Sequence, residues 1–323
     1  MSDTSLHARS FDLRYCEMNG FGEATPVALA DLLEEASFTH CAESGWDIYR
    51  LVGEGYGWVL LRGALEMKRY PRYGEGLVVE TWVSEARRFY GTREYRIATP
   101  RGEELGYARA LWLFLSLERR RPLPILDDIV AAWAPNGRSA GPLELTEVAG
   151  PAGPPGTGAA AAAGAAALEA QGAAPRFDVR FSDIDTNGHV NNVRYLSWGF
   201  EALPLGFREE RVLTAIRGQY KREVTYGSAV SPLVAEGGHE GELALGIYAE
   251  TPAGERYLAA AAETRWAPRP PEALRGPRRL LYPGKAMVDR AAAALAGAAS
   301  AASSAASSAV AAVATKATRS PST

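Results

Sequence analysis

Three polar side chains fall on alternate residues of the stretch SDIDTNGHVNN: the carboxylate of Asp185, the amide of Asn187 and the imidazole of His189. An imidazole titrates near neutrality and can shuttle a proton. Asp185 lies four residues before His189 and two before Asn187, near enough in sequence to orient either. Gly188 and Val190 flank the histidine just ahead of a helix-like apolar stretch. Free backbone N–H groups and the helix dipole at such a place can hold a developing oxyanion. A fourth group, Glu223, stands on the first strand expected after that helix and reaches the same spot only through the fold. The set points to attack of water on an activated carbonyl, with no serine or cysteine nucleophile required. The competing explanation for Asp185, Asn187 and Gly188 is a helix-capping turn, which these residue types favour by themselves. Asn191 and Asn192 are read as turn and helix-start residues outside the catalytic set.

An internal repeat separates the two explanations. FDLRYCEMNGFGEA from Phe11 matches FDVRFSDIDTNGHV from Phe177, an offset of 166 that also brings Gly22 onto Gly188. KRYPRYG at Lys68 matches KREVTYG at Lys221, an offset of 153, and TPRGE at Thr99 matches TPAGE at Thr251, an offset of 152. Where the second copy has Asp185, Asn187, His189 and Glu223, the first has Asn19, Phe21, Glu23 and Tyr70. Groups that only build the fold should recur in both copies. These do not, which favours a single reactive site supplied by copy two.

The elements that must position the site are legible in outline. Thr25-Pro26 is a helix start, a hydroxyl cap followed by proline at the first helical position, and Leu29, Leu32, Leu33 and Ala36 continue at helical spacing. Long runs rich in Val, Leu, Trp and Tyr follow and read as antiparallel strands, with TPRGE as a hairpin turn. Copy two repeats the order of one helix and then strands. The predicted fold is therefore α+β, with an antiparallel sheet wrapped around a helix in each copy. Trp58, Trp82 and Trp112 are expected in the sheet core, and His40 and Cys41 at the packed end of the first helix.

Composition narrows the function. A formal charge of −3 and a pI near 5.9 argue against binding nucleic acid through phosphate neutralisation. No apolar run approaches the length that spans a bilayer. Cys16 and Cys41 form neither a CxxC pair nor a disulfide framework, and the start MSDTSLHARSFDLRY carries no signal-peptide pattern. A cytoplasmic protein is the expectation. His189 has no second histidine or cysteine at ligand spacing, so neither a metal nor another cofactor is expected.

DIDTNGHVNNVRYLSW closely resembles the Asp-x-Asn-x-His-x-Asn-Asn motif of plant and bacterial fatty acyl-ACP thioesterases (ACP, acyl carrier protein), and KREVTYG resembles the strand carrying that family's catalytic glutamate. GWVLLRGALEMKRYPRYGEGLVVETWVSEA is similar to its N-terminal half. The resemblance covers residues 11–130 and 175–270. It implies two tandem hotdog domains and hydrolysis of the thioester of fatty acyl-ACP to free acid and ACP, which ends chain elongation. Carried over by position, Glu223 activates water, Asn187 and His189 surround the carbonyl, and Asp185 orients them. Plant members often have a cysteine after the glutamate; here it is Val224, so a Cys/His mechanism is not open at this position.

The domain organisation expected is an N-terminal tail over residues 1–10, a pocket-forming hotdog domain over 11–130 and a Pro/Gly/Ala-rich linker over 131–174. A catalytic hotdog domain over 175–284 and an Ala/Ser-rich tail over 285–323 follow. The implied partner is an acyl carrier protein bearing a phosphopantetheine-linked acyl chain, and a monomer or a homodimer is compatible with a fused pair. Arg87, Arg88, Arg93 and the arginines at 119–121 are either a docking face for that acidic carrier or solvated strand ends. The rival readings are an acyl-CoA thioesterase of the same fold, a non-catalytic acyl-binding hotdog protein and a dehydratase.

Overall fold

The Thr25 hydroxyl accepts the Ala28 N–H at 3.0 Å and Pro26 opens α1 (Pro26–Glu43), as the sequence predicts. Ala28, Leu29, Leu32, Ala36, Ser37 and His40 form its buried stripe. The structure, a computed structural model, describes residues 6–153 and 175–270. The rest of the expected linker, 154–174, and the Ala/Ser-rich tail lie outside the described residues.

Copy one comprises β1 (His7–Phe11), α1, a short α2 (Ile48–Gly53), β2 (Tyr56–Met67), β3 (Leu77–Arg87), β4 (Tyr90–Ala98), β5 (Glu104–Ser116), β6 (Arg121–Pro122) and α3 (Asp127–Trp133). Copy two comprises β7 (Phe177–Asp178), α4 (Asn192–Glu201), a short α5 (Leu205–Glu210), β8 (Arg211–Tyr220), β9 (Ala229–Glu236), β10 (Glu242–Glu250) and β11 (Arg256–Pro268). The strands form one antiparallel sheet ordered β1-β3-β4-β5-β2-β8-β11-β10-β9-β7, with β6 added beside β5. Its halves, β1-β3-β4-β5-β2 and β7-β9-β10-β11-β8, have matching order and join where β2 pairs with β8, Gly63 opposite Gly218. The matched TPRGE and TPAGE turns close alike. Thr99 N–H meets Glu103 C=O and Thr251 N–H meets Glu255 C=O, both at 2.9 Å or less, with Gly102 and Gly254 at φ +87° and +81°. Only glycine adopts that conformation without strain.

One hydrophobic cluster runs through both copies, bringing Leu32, Leu65 and Tyr95 together with Leu213, Leu245 and Trp266. Two satellites occupy the ends: Trp46, Leu51, Phe114 and Trp133 in copy one, and Val190, Tyr195, Trp198 and Val224 in copy two.

Two expectations about the chain ends and linker need correction. Residues 7–10, read as part of a tail, belong with Phe11 to β1, which pairs with β3, His7 opposite Thr81. The expected linker is ordered at its start: α3 runs across the boundary drawn at 130, and residues 134–153 cross the sheet as a strap. Arg109 and Arg62 donate to the carbonyls of Leu143 and Leu145, the Val148 N–H donates to Gln219, and Tyr248 donates to the Pro151 carbonyl. Val148, only 1% exposed, anchors the strap. These bonds satisfy backbone groups that an irregular segment otherwise leaves to water. No helix of the described residues is long and apolar enough to cross a membrane.

Candidate active site

The loop ahead of α4 is built by backbone pairing on both sides of Gly188. Asp185 N–H donates to His189 C=O at 2.9 Å and Asn191 N–H to Asp183 C=O at 2.9 Å, so Ile184 and Val190 bridge as antiparallel partners. Between them, Asp185 Oδ1 accepts the Asn187 N–H at 2.8 Å, an Asx turn, and Gly188 takes φ +77°. Copy one builds the same loop: Asn19 N–H to Glu23 C=O at 2.8 Å, Thr25 N–H to Glu17 C=O at 2.9 Å, and Asn19 Oδ1 accepting the Phe21 N–H at 2.8 Å. The turn-building role of Asp185 is therefore duplicated by Asn19. What copy two adds is chemistry on the same scaffold.

That chemistry centres on Glu223. Its Oε2 lies 3.0 Å from His189 Nε2, and its Oε1 accepts a hydrogen bond from Arg120 Nη2. A carboxylate only accepts, so His189 donates from Nε2 and, when neutral, leaves Nδ1 as an acceptor. Both side chains stay partly exposed, His189 at 32% and Glu223 at 43%, so water reaches them. Glu223 is not on a strand as expected but in the bend after β8. Its carbonyl accepts the Tyr257 hydroxyl at 2.9 Å, and the next N–H, of Val224, donates to the Tyr195 hydroxyl at 3.0 Å. Burial raises the pKa of the Tyr195 phenol, keeping it a neutral hydroxyl.

Asp185 contacts Asn187, whose Nδ2 lies 3.4 Å from Oδ2, and makes no side-chain contact with His189. The backbone donors need a correction. The Gly188 N–H is spent on Asp185 C=O at 3.1 Å and the Val190 N–H on Val224 C=O at 2.9 Å, so neither is free for an oxyanion. The helix begins at Asn192, where the sequence places its start, with Asn191 capping it by accepting the Val193 N–H at 2.8 Å. Among the described residues, the His189 N–H makes no hydrogen bond.

Asp185, Asn187 and Asn192 stand at one end of a cleft of roughly 780 Å³, open mouth included, whose apolar walls come from copy one: Leu51, Trp58, Val83, Trp112 and Trp133. Glu34 of α1 also lines it and accepts from Asn191 Nδ2 at 3.1 Å, and its burial raises its pKa. Sequence reasoning missed Glu34, Tyr195 and Tyr257, and singled out Arg120 only as a docking or solvated residue. Each acts across more than 25 positions, so no local spacing signals them.

Arg93, taken as a surface candidate, is buried at 4% exposure on the cleft wall. It donates to His40 Nδ1 at 2.8 Å and Thr81 Oγ1 at 3.3 Å, and meets no carboxylate among the described residues. Burial first, then the neighbouring Arg93 and His7, push the His40 pKa down to about 3. The folded protein thus keeps His40 neutral where the unfolded chain protonates it, so stability is complete above about pH 6.5 and falls as pH drops toward 3. Between pH 7 and pH 4.5 this one site is worth about 2–3 kcal/mol. Urea unfolding of the wild type and of His40→Asn at both pH values should show a smaller acid loss in the variant; equal losses would exclude His40 as the source.

The fold and the site define a class: two fused hotdog modules, the second carrying the Glu223–His189 pair that the first lacks. Residues 4–133 match the acyl-ACP thioesterase N-terminal domain and residues 167–268 the acyl-ACP thioesterase C-terminal domain, and the chain belongs to that family. It is 26% identical over 245 residues to a chloroplastic palmitoyl-acyl carrier protein thioesterase of Gossypium hirsutum, covering 72% of this chain and 55% of that protein. It is 25% identical over 282 residues to a dodecanoyl-[acyl-carrier-protein] hydrolase of Umbellularia californica, covering 83% and 69%. The chain thus spans about half the length of several curated relatives that it matches. Two solved structures share the fold: an acyl-ACP thioesterase from Bacteroides thetaiotaomicron (TM-score 0.68, 22% identity, 83% of this chain and all of that one) and the 12:0-ACP thioesterase from Umbellularia californica (0.64, 20%, 82% and 98%).

Proposed function

We propose that the protein hydrolyses the thioester of fatty acyl-ACP, releasing free fatty acid and the carrier, with Asp185, Asn187, His189 and Glu223 as its catalytic set. The observation that carries this reading is the Glu223–His189 pair, 3.0 Å apart, beside a loop that opens onto an apolar cleft. The acyl chain occupies the cleft and its thioester lies at the Asp185 end. Glu223, coupled to His189, takes a proton from water as the new C–O bond forms. The Asn187 amide and the His189 N–H receive the negative oxygen, in place of the Gly188 and Val190 donors that the fold consumes. Collapse breaks the C–S bond, and the proton passes to the departing thiolate. Asp185 holds the Asn187 amide for that task.

In the same reading, copy one (residues 11–130) mainly forms the pocket and copy two (175–284) supplies the chemistry. The partner is a carrier bearing a phosphopantetheine arm. Free Cys16 and Cys41 support a reducing, cytoplasmic setting.

The test is free-acid release from matched panels of acyl-ACP and acyl-CoA. Faster turnover of acyl-ACP is expected. Faster turnover of acyl-CoA would reassign the substrate, and acyl binding without release from either would make the protein a binder.

A further inference from the structure

The turn between β5 and β6 belongs to copy one, yet it reaches the reactive carboxylate of copy two. Arg120, in the left-handed region at φ +47°, extends a side chain that is 65% exposed, and its guanidinium holds Glu223 Oε1. It makes no other polar contact among the described residues. Arg119 and Arg121 flank it, exposed and without an ion pair among the described residues, with Glu118 the one acid in the turn. The Arg88 backbone lies near β6, its carbonyl accepting the Ile125 N–H at 2.6 Å, and its guanidinium sits over the Phe89 ring, 4.4 Å from the centre. A basic rim therefore borders the site on the side of Glu223.

The contact poses a chemical problem. With His189 on one oxygen and Arg120 on the other, Glu223 has one acceptor direction committed on each oxygen. A pair that only supported catalysis would not be expected to occupy the base at rest.

We propose that Arg120 is an anion-operated latch on Glu223. In the free protein it holds the carboxylate; an anion on the carrier side of the thioester draws the guanidinium outward to the Arg119/Arg121 rim and leaves Oε1 for water. The phosphate of the prosthetic arm is the occupant the chemistry favours, since arginine presents a fork of donors to phosphate oxygens. The inference rests on the thioesterase reading above for its substrate. It adds that catalysis is primed by the carrier end of the substrate rather than by the acyl chain.

The experiment compares wild type, Arg120→Ala and Arg120→Lys on one acyl group attached to N-acetylcysteamine, to phosphopantetheine and to ACP. Expected for Arg120→Ala is a loss of at least tenfold in kcat/KM, mainly through KM, on the two anionic substrates. Turnover of the phosphate-free thioester should rise by up to about threefold, because the base is no longer held. Arg120→Lys should recover part of the loss. A loss confined to ACP would overturn the latch as proposed, since the phosphate of the arm would not be its anion. An equal loss on all three substrates would make Arg120 a simple support for Glu223 and overturn the latch, as would no loss on any. A calorimetric titration with 4′-phosphopantetheine and with pantetheine gives an answer independent of hydrolysis. Wild type should prefer the phosphorylated form by at least tenfold and Arg120→Ala should not; no preference in wild type overturns the latch. Should wild type hydrolyse none of the thioesters yet show this preference, the thioesterase reading fails and the anion site stands.

Discussion

Glu223→Ala is expected to lower kcat for acyl-ACP by about 10³-fold while leaving the thermal midpoint nearly unchanged. Removing a positioned general base typically costs 10²–10⁴-fold, and 10³-fold corresponds to about 4 kcal/mol of barrier. The small effect on stability follows from the surroundings: the side chain is 43% exposed, and the Arg120 that holds it is 65% exposed. Such ion pairs contribute little to folding. Glu223→Gln should be nearly as inactive as the alanine variant, because an amide keeps the shape but cannot accept the proton. His189→Ala should lose about 10²-fold, and the double variant should be only a few-fold worse than Glu223→Ala, since members of one catalytic unit are not additive. Steady-state acid release alongside circular-dichroism melts checks all four proteins. If Glu223→Gln kept a tenth of wild-type turnover with an intact fold, another group would have to be the base.

The sequence made some of this visible and hid the rest for identifiable reasons. The repeat, the Thr25-Pro26 helix start and the TPRGE and TPAGE turns are local signals, and each appears where it was read. β1 was missed because its five residues acquire a partner only in β3, some 70 positions on. Arg93 was read as a docking or solvated arginine, and Glu94 beside it adds a second charge to β4. In fact both are buried: Arg93 lies among His40, Thr81 and Cys41, and Glu94, 1% exposed, binds Arg109 and the Ala140 N–H of the strap. A segment poor in large side chains was read as a linker, yet its first part covers the sheet through backbone bonds that composition does not report. The oxyanion donors failed similarly. That Val190 donates to Val224 is a long-range fact, invisible from Asp-Thr-Asn-Gly-His alone.

Arg269→Ala should destabilise the fold by about 3–5 kcal/mol without changing kcat per folded molecule by more than about twofold. The reason lies in the loop of copy one that matches the catalytic loop. Glu23 stands in the place of His189, Tyr70 in that of Glu223 and Phe21 in that of Asn187. Arg269 fills this unused position. Its Nη1 binds Glu23 Oε2 at 2.7 Å and its guanidinium lies 3.9 Å from the Phe21 ring centre, with the two charged side chains only 7% and 14% exposed. Removing the arginine strands a buried carboxylate, and that stranded charge, more than the lost attraction, is what costs stability. Arg269→Met combined with Glu23→Leu should recover most of the loss, because matched apolar groups leave no charge unpaired. Urea unfolding at pH 7, paired with turnover per folded molecule, decides the point. A loss below 1 kcal/mol would mean that water already screens the pair. A large fall in turnover with the fold intact would mean that copy one's loop takes part in catalysis, and the division into one reactive copy and one supporting copy would fail with it.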